Sequence, residues 1–215
     1  MRANGCPWDA ATCSAAAEQG HVETLRWAHE NGCEWNAMAC EYAAAAGHLK
    51  ILQWLRANGC PWDEGTCSQA AFGGRLEMLR WAREKGCDWN SEACAAAAQN
   101  GHLEVLHWLR AEGCPWDAKT CKFAAFGGQL ETLRWARKNG CEWDADALAF
   151  AAARGHMEVL QWLRANGCPW SWKATTYAAV RCCCCEATTC AAVPRLPGEL
   201  CSSTTRWHGL VLGVR

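Results

Sequence analysis

The 215-residue chain sets 21 Lys+Arg against 22 Asp+Glu. That balance excludes a broad basic face of the kind that displaces counterions from nucleic acid. Its apolar stretches are short Ala runs, far below the roughly 20 residues of a membrane-spanning helix, and no charged-then-apolar segment at the N-terminus reads as a secretory signal. What needs explaining is the excess of 18 Cys and 15 Trp beside only 2 Tyr and 4 Phe.

Residues 1–8, ending Gly5-Cys6-Pro7-Trp8, match 56–62, so the chain is expected to open in the second half of a truncated repeat. A 27-residue period then governs the sequence. Gly-Cys-x-Trp begins at Gly5, Gly32, Gly59, Gly86, Gly113, Gly140 and Gly167. In the same phase stand a glycine column from Gly20 to Gly155, a leucine column from Leu25 to Leu160, and a tryptophan column from Trp27 to Trp162. Thirteen of the 15 Trp fall on two columns, which makes them structural by placement. A fixed period between about 20 and 50 residues marks a stacked repeat architecture. The units run 9–35, 36–62, 63–89, 90–116, 117–143 and 144–170, and alternate units share features that overlay a 54-residue period.

Each unit predicts two short helices. In 63–89, Asp63 is placed to cap the first helix through its side-chain oxygen. That helix runs through Thr66, Cys67, Ala70 and Ala71 and stops at Gly73-Gly74, where a left-handed residue carries no Cβ strain. The second begins near Arg75, passes Leu76, Leu79 and Trp81, and ends at Gly86. In the alternate units Pro61, Pro115 and Pro169 prevent helix continuation. Leu103, Val105, Leu106, Trp108 and Leu109 spread over roughly 220° of their helix, against about 100° for a helix lying on a globule's surface. Such a helix must be covered on several sides. The indoles are accordingly expected as packing between units, and the paired Ala of the first helix allow its neighbours close approach. The fold class predicted is all-α: an α-solenoid of stacked helix-turn-helix units.

Asp63-x-x-Thr66-Cys67-x-x-Ala70-Ala71-x-x-Gly74, followed by a Leu-rich helix and Gly86, resembles the ankyrin repeat. Gly101-His102-Leu103-Glu104-Val105-Leu106 looks most like that family's second helix. The resemblance covers 9–170. The unit has 27 residues rather than the family's 33, and the shortening falls in the connector, so short loops are expected in place of the β-hairpins. Cys stands where the family has Thr-Pro-Leu-His, as in a short Trp/Cys-rich ankyrin-like variant. The resemblance implies a scaffold or adaptor that binds a protein partner on its concave face, without catalysis.

Residues 171–181 read as a partial repeat, with Ala178-Ala179 in phase. Cys182-Cys183-Cys184-Cys185 breaks the pattern, and 182–215 read as a disordered or aberrant Cys-rich tail. The ragged ends keep two alternatives open: a targeting fragment of a larger, possibly enzymatic protein, or a non-functional truncated product of an expanded repeat family.

Twelve of the 18 Cys lie on two columns, one from Cys6 to Cys168 and one from Cys13 to Cys121. Equivalent residues of stacked units sit about 8–10 Å apart, beyond the roughly 7 Å Cα limit for a disulfide. Six residues separate the columns, unlike the two to four of zinc sites, and Leu148 replaces Cys without breaking the pattern. These Cys are read as buried, reduced and small, placing the protein in the cytoplasm or nucleus rather than outside the cell. His21, His48, His102 and His156 share a column with Arg75 and Gln129, which suits a hydrogen-bonding cap; His29 and His107 fall on the solvated arc. Glu23, Glu77, Glu104, Glu131 and Glu158 recur in phase and are no unique catalytic base. The chain is therefore read as non-enzymatic, with no metal and no cofactor, and as a monomer that binds protein but not nucleic acid. Positions that vary between units are free of packing duty and become the candidates for partner binding: Tyr42, Glu64, Gln69, Phe72, Glu92, Lys119, Phe123, Phe126 and Phe150. Solvent-facing aromatics make good binding anchors.

Overall fold

A computed structural model describes residues 9–170. The chain divides into two units, Met1–Ala178 and Ala179–Arg215, and every described residue lies in the first. The expected partial repeats at 1–8 and 171–181, and the tail at 182–215, lie outside the described residues.

Twelve α-helices and no strand occur among the described residues. They come in pairs: α1 (Ala10–Glu18) with α2 (Val22–Glu30), α3 (Ala37–Ala46) with α4 (Leu49–Ala57), and α5 (Glu64–Phe72) with α6 (Leu76–Glu84). The series continues with α7 (Ser91–Gln99) and α8 (Leu103–Ala111), α9 (Ala118–Phe126) and α10 (Leu130–Lys138), and α11 (Ala145–Arg154) and α12 (Met157–Ala165). Each first helix packs on its own partner and on the next first helix along the chain. The fold is an all-α solenoid whose connectors are turns.

Local chemistry sets these boundaries. Asp9, Asn36, Asp63, Asn90, Asp117 and Asp144 each cap a first helix by accepting a backbone N–H, as Asp63 does from Gly65 at 3.0 Å. This satisfies one of the donors every helix start leaves unpaired. First helices end in a left-handed turn, where Gly74 N–H donates to Ala71 O at 3.1 Å and Arg75 N–H to Ala70 O at 2.9 Å. The Ala pairs, from Ala16-Ala17 to Ala151-Ala152, are buried between neighbouring first helices. The opposite side of the core is built from Leu25, Leu52, Leu79, Leu106 and Leu133, all buried, with Leu55, Leu109 and Leu163.

Some expectations need correcting. The histidine column does not cap its own helices, since His21, His48, His102 and His156 make no side-chain cap bond. Instead Nε2 of His48, His102 and His156 reaches back 30 residues, to the carbonyls of Glu18 (3.0 Å), Phe72 (3.0 Å) and Phe126 (2.9 Å). The imidazole thus donates to the end of the preceding unit's first helix and stitches neighbours together. His29, expected on a solvated arc, is half-buried and stacks on Trp35 with ring centroids 3.5 Å apart, whereas His107 is exposed as expected, its ring tilted 39° to that of Trp135 with centroids 4.3 Å apart.

Trp27 and Trp170 are exposed, and the other described tryptophans are half-buried rather than enclosed. Each turn indole meets the second-helix indole of the next unit edge-on, as Trp62 meets Trp81 (5.8 Å) and Trp89 meets Trp108 (5.6 Å). Guanidinium groups cover the turn indoles: Arg56 lies 4.2 Å from Trp62, Arg83 4.0 Å from Trp89 and Arg137 4.0 Å from Trp143. A cation over an indole face is attracted by the ring quadrupole. Among the described residues the cysteines of the two columns are buried, as expected. The spacing argument, however, compared each Cys with its own column, whereas the helix pair folds the two columns onto each other: Cys13 and Cys33 approach to 3.1 Å between sulfurs.

Candidate functional site: a groove across the first helices

All nine candidate residues lie on first helices: Tyr42 on α3, Glu64, Gln69 and Phe72 on α5, Glu92 on α7, Lys119, Phe123 and Phe126 on α9, and Phe150 on α11. Four of them, Gln69, Phe72, Glu92 and Phe123, line one groove of about 170 Å³ together with Ser68, Ala95, Ala96 and Gln99. The groove exists because α7 carries Ala95 and Ala96 where its neighbours carry larger side chains, so the α7 segment forms a low floor between α5 and α9. Phe72, 40% exposed, and Phe123 supply aromatic walls. Gln69 and Gln99 supply amides that donate and accept, and Ser68 a hydroxyl.

The other candidates are placed differently. Lys119 forms an ion pair and hydrogen bond with Glu92, joining α9 to α7 across one unit interface. Glu92 holds the Lys119 ammonium above its ordinary pKa. Phe123, Phe126 and Phe150 form a cluster with centroids 5.6 to 6.5 Å apart. Arg154 lies 4.0 Å from the Phe126 ring, and Lys122 5.5 Å from both Phe123 and Phe150. Phe72 and Phe126, equivalent in sequence, therefore part company: one is exposed beside the groove, the other half-buried in an aromatic trio. Tyr42, 36% exposed, and Glu64 at the start of α5 stand on the same row of helices but do not line the groove.

Sequence reasoning missed Ser68, Ala95, Ala96, Gln99, Lys122 and Arg154. A signal existed. Positions 14, 41, 68, 95, 122 and 149 hold Ser, Glu, Ser, Ala, Lys and Ala, a varying column in which small side chains drew no attention. In that column burial, followed by the Asp63 carboxylate, holds Glu41 above the usual carboxylate range. Among the described residues no group of three or more His, Cys, Asp or Glu is arranged to hold a metal, and no helix is long and apolar enough to cross a membrane. The arrangement offers contact chemistry: aromatic faces, amides and a bridged charge pair on one row of helices.

Comparison with known proteins agrees with the architecture. Residues 13–56 match the family model of ankyrin repeats (many copies). Among solved structures, the crystal structure of the human ASB11 ankyrin repeat domain is similar, with a TM-score of 0.54 and 16% identity, covering 79% of this chain and 96% of that one. No curated protein matches the sequence. Residues 13–56 thus match ankyrin repeats, the described residues share the fold of an ankyrin repeat domain, and ankyrin repeats as a class mediate protein–protein interaction.

Proposed function

We propose that the chain is a non-catalytic adaptor that binds a protein partner on the concave face of its solenoid, with the groove between α5 and α9 as the centre of the contact. It acts as a monomer in the cytoplasm or nucleus and leaves nucleic acid alone, in keeping with a formal charge of −1. The observation that carries this reading is the exposed Phe72 beside Gln69, Gln99 and Phe123, around the low floor that Ala95 and Ala96 form on α7. Tyr42, Glu64, Glu92 and Lys119 extend the contact along the row, and Phe126 and Phe150 support Phe123 from beneath. Aromatic anchors in a desolvated pocket dominate interface energies.

Peptides displayed on phage and selected on the full chain test the proposal. Affinity of the selected ligands should fall at least about tenfold, or about 1.4 kcal/mol, on the variant Gln69→Ala/Phe72→Ala. Its helical circular dichroism should stay that of the parent, because neither side chain is buried. Ligands that bind the variant unchanged, or that map to the second-helix side, would refute the reading.

A further inference from the structure

Eleven cysteines among the described residues are buried and free. We propose that five of the six described repeats each hold a dithiol that a peroxide converts to an intra-repeat disulfide, namely Cys13–Cys33, Cys40–Cys60, Cys67–Cys87, Cys94–Cys114 and Cys121–Cys141, whereas Cys168 has no thiol partner among the described residues because Leu148 takes that place.

The geometry supports this in three ways. The Cys13 thiol donates to the Cys33 sulfur at 3.1 Å, and the 27-residue period puts the next four pairs at the equivalent positions of their units. The second sulfur of each pair is fixed from the other side. It donates to the carbonyl of its unit's capping residue, 24 positions earlier: Cys33 to Asp9 (3.3 Å), Cys60 to Asn36 (3.4 Å), Cys87 to Asp63 (3.2 Å), Cys114 to Asn90 (3.4 Å) and Cys141 to Asp117 (3.4 Å). From the 3.1 Å between Cys13 and Cys33, a bond of about 2.05 Å needs an approach of only about 1 Å. Thirdly, the repeat contains its own control. Cys168 makes the same bond to Asp144 at 3.4 Å but faces a leucine.

The pairs are also chemically polarised. The hydrogen bond from its partner holds Cys60, Cys87, Cys114 and Cys141 below the ordinary thiol range, and the Arg56, Arg110 and Arg137 guanidinium groups add to this at Cys60, Cys114 and Cys141. The same bond, together with burial, raises Cys40, Cys67, Cys94 and Cys121. In these four pairs the nucleophile is thus the second-column sulfur, which gives up its proton as it reacts, and the first-column thiol resolves. Cys87 attacks one oxygen of hydrogen peroxide; the O–O bond breaks, and the departing hydroxide takes up the displaced thiol proton as water. The resulting Cys87 sulfenic acid is attacked by Cys67. The S–S bond forms, the S–O bond breaks, and hydroxide leaves with the Cys67 proton as a second water. One peroxide is reduced and two thiols are oxidised.

The test treats the full chain with hydrogen peroxide, blocks remaining thiols with N-ethylmaleimide, and maps linkages by mass spectrometry of an unreduced digest. The five links, each lighter by two hydrogens, should exceed any other pairing among these cysteines at least about tenfold, as expected for neighbours held in place, and Cys168 should be recovered alkylated. Leu148→Cys should create a sixth link to Cys168. Cys67→Ser should abolish one link, leave Cys87 alkylated and keep the other four. Links along a single column, such as Cys40–Cys67, would overturn the proposal. So would ten alkylated thiols in protein whose exposed Met38 has become the sulfoxide.

Discussion

Gly74 and Gly86 end the two helices of one repeat with similar left-handed backbone, φ +69° and +80°, yet their surroundings differ. A Cβ at Gly86 meets nothing within 4 Å, whereas one at Gly74 would lie 2.7 Å from two atoms of the His102 ring. Gly86→Ala should therefore cost only the left-handed strain, about 1–2 kcal/mol. Gly74→Ala adds displacement of His102 from its 3.0 Å bond to Phe72 O, a loss of about 0.5–1.5 kcal/mol, and brings the total to about 2–3. In a His102→Ala background the Gly74→Ala cost should drop back to about 1–2, a coupling that a double-mutant cycle isolates. Urea unfolding followed by circular dichroism reads this. With a slope of about 2 kcal/mol per M, the two single variants should differ in midpoint by about 0.5 M. Equal midpoints, or a Gly74→Ala cost indifferent to His102, would show that the glycine column serves backbone conformation alone.

Two further outcomes follow from the core and its aromatic edge. Burial pushes the Cys168 thiol up to about 11 from its ordinary 9.0. Folded chain thus keeps a proton that unfolded chain has lost between those values, and the associated stability is whole below pH about 9 and lost as pH rises through about 11. The fall in urea midpoint between pH 8 and 11 should be smaller in Cys168→Ala than in the parent; an identical fall counts against the burial argument. Arg83→Ala removes a guanidinium 4.0 Å from Trp89 and a 2.6 Å bond to Cys87 O. It should cost about 1–2 kcal/mol and alter indole fluorescence, whereas a change below about 0.5 kcal/mol would reduce the Arg–Trp contact to decoration.

Periodicity made much of this architecture legible, and geometry explains what it concealed. Asp63 as cap and Gly74 and Gly86 as terminators are local features, decided within four residues of the chain. The His102 bond is not. A ring at a helix start can turn toward its own helix or the neighbouring unit, and both choices leave the same column in the sequence. Pairing of Cys67 with Cys87 depends on the second helix and turn carrying the chain back over the first, so a comparison within columns could not find it. Tryptophan at every twenty-seventh position signals packing without saying on how many sides, and the indoles turned out to be edges capped by arginine. As for the groove, variability picked out Phe72 and Gln69 because they are large. It passed over Ala95 and Ala96, whose smallness makes the space.

The stitching bond from His48, His102 or His156 ends on the unit just before it, and the indole contacts likewise span a single boundary. Recombination between two such units would therefore recreate, at the new join, fastenings already proven elsewhere in the chain. Excision or duplication of 54 residues, two units together, also preserves which kind of unit meets which. Array length is in this sense editable without redesign, and what an editing event alters is the set of side chains displayed along the first helices.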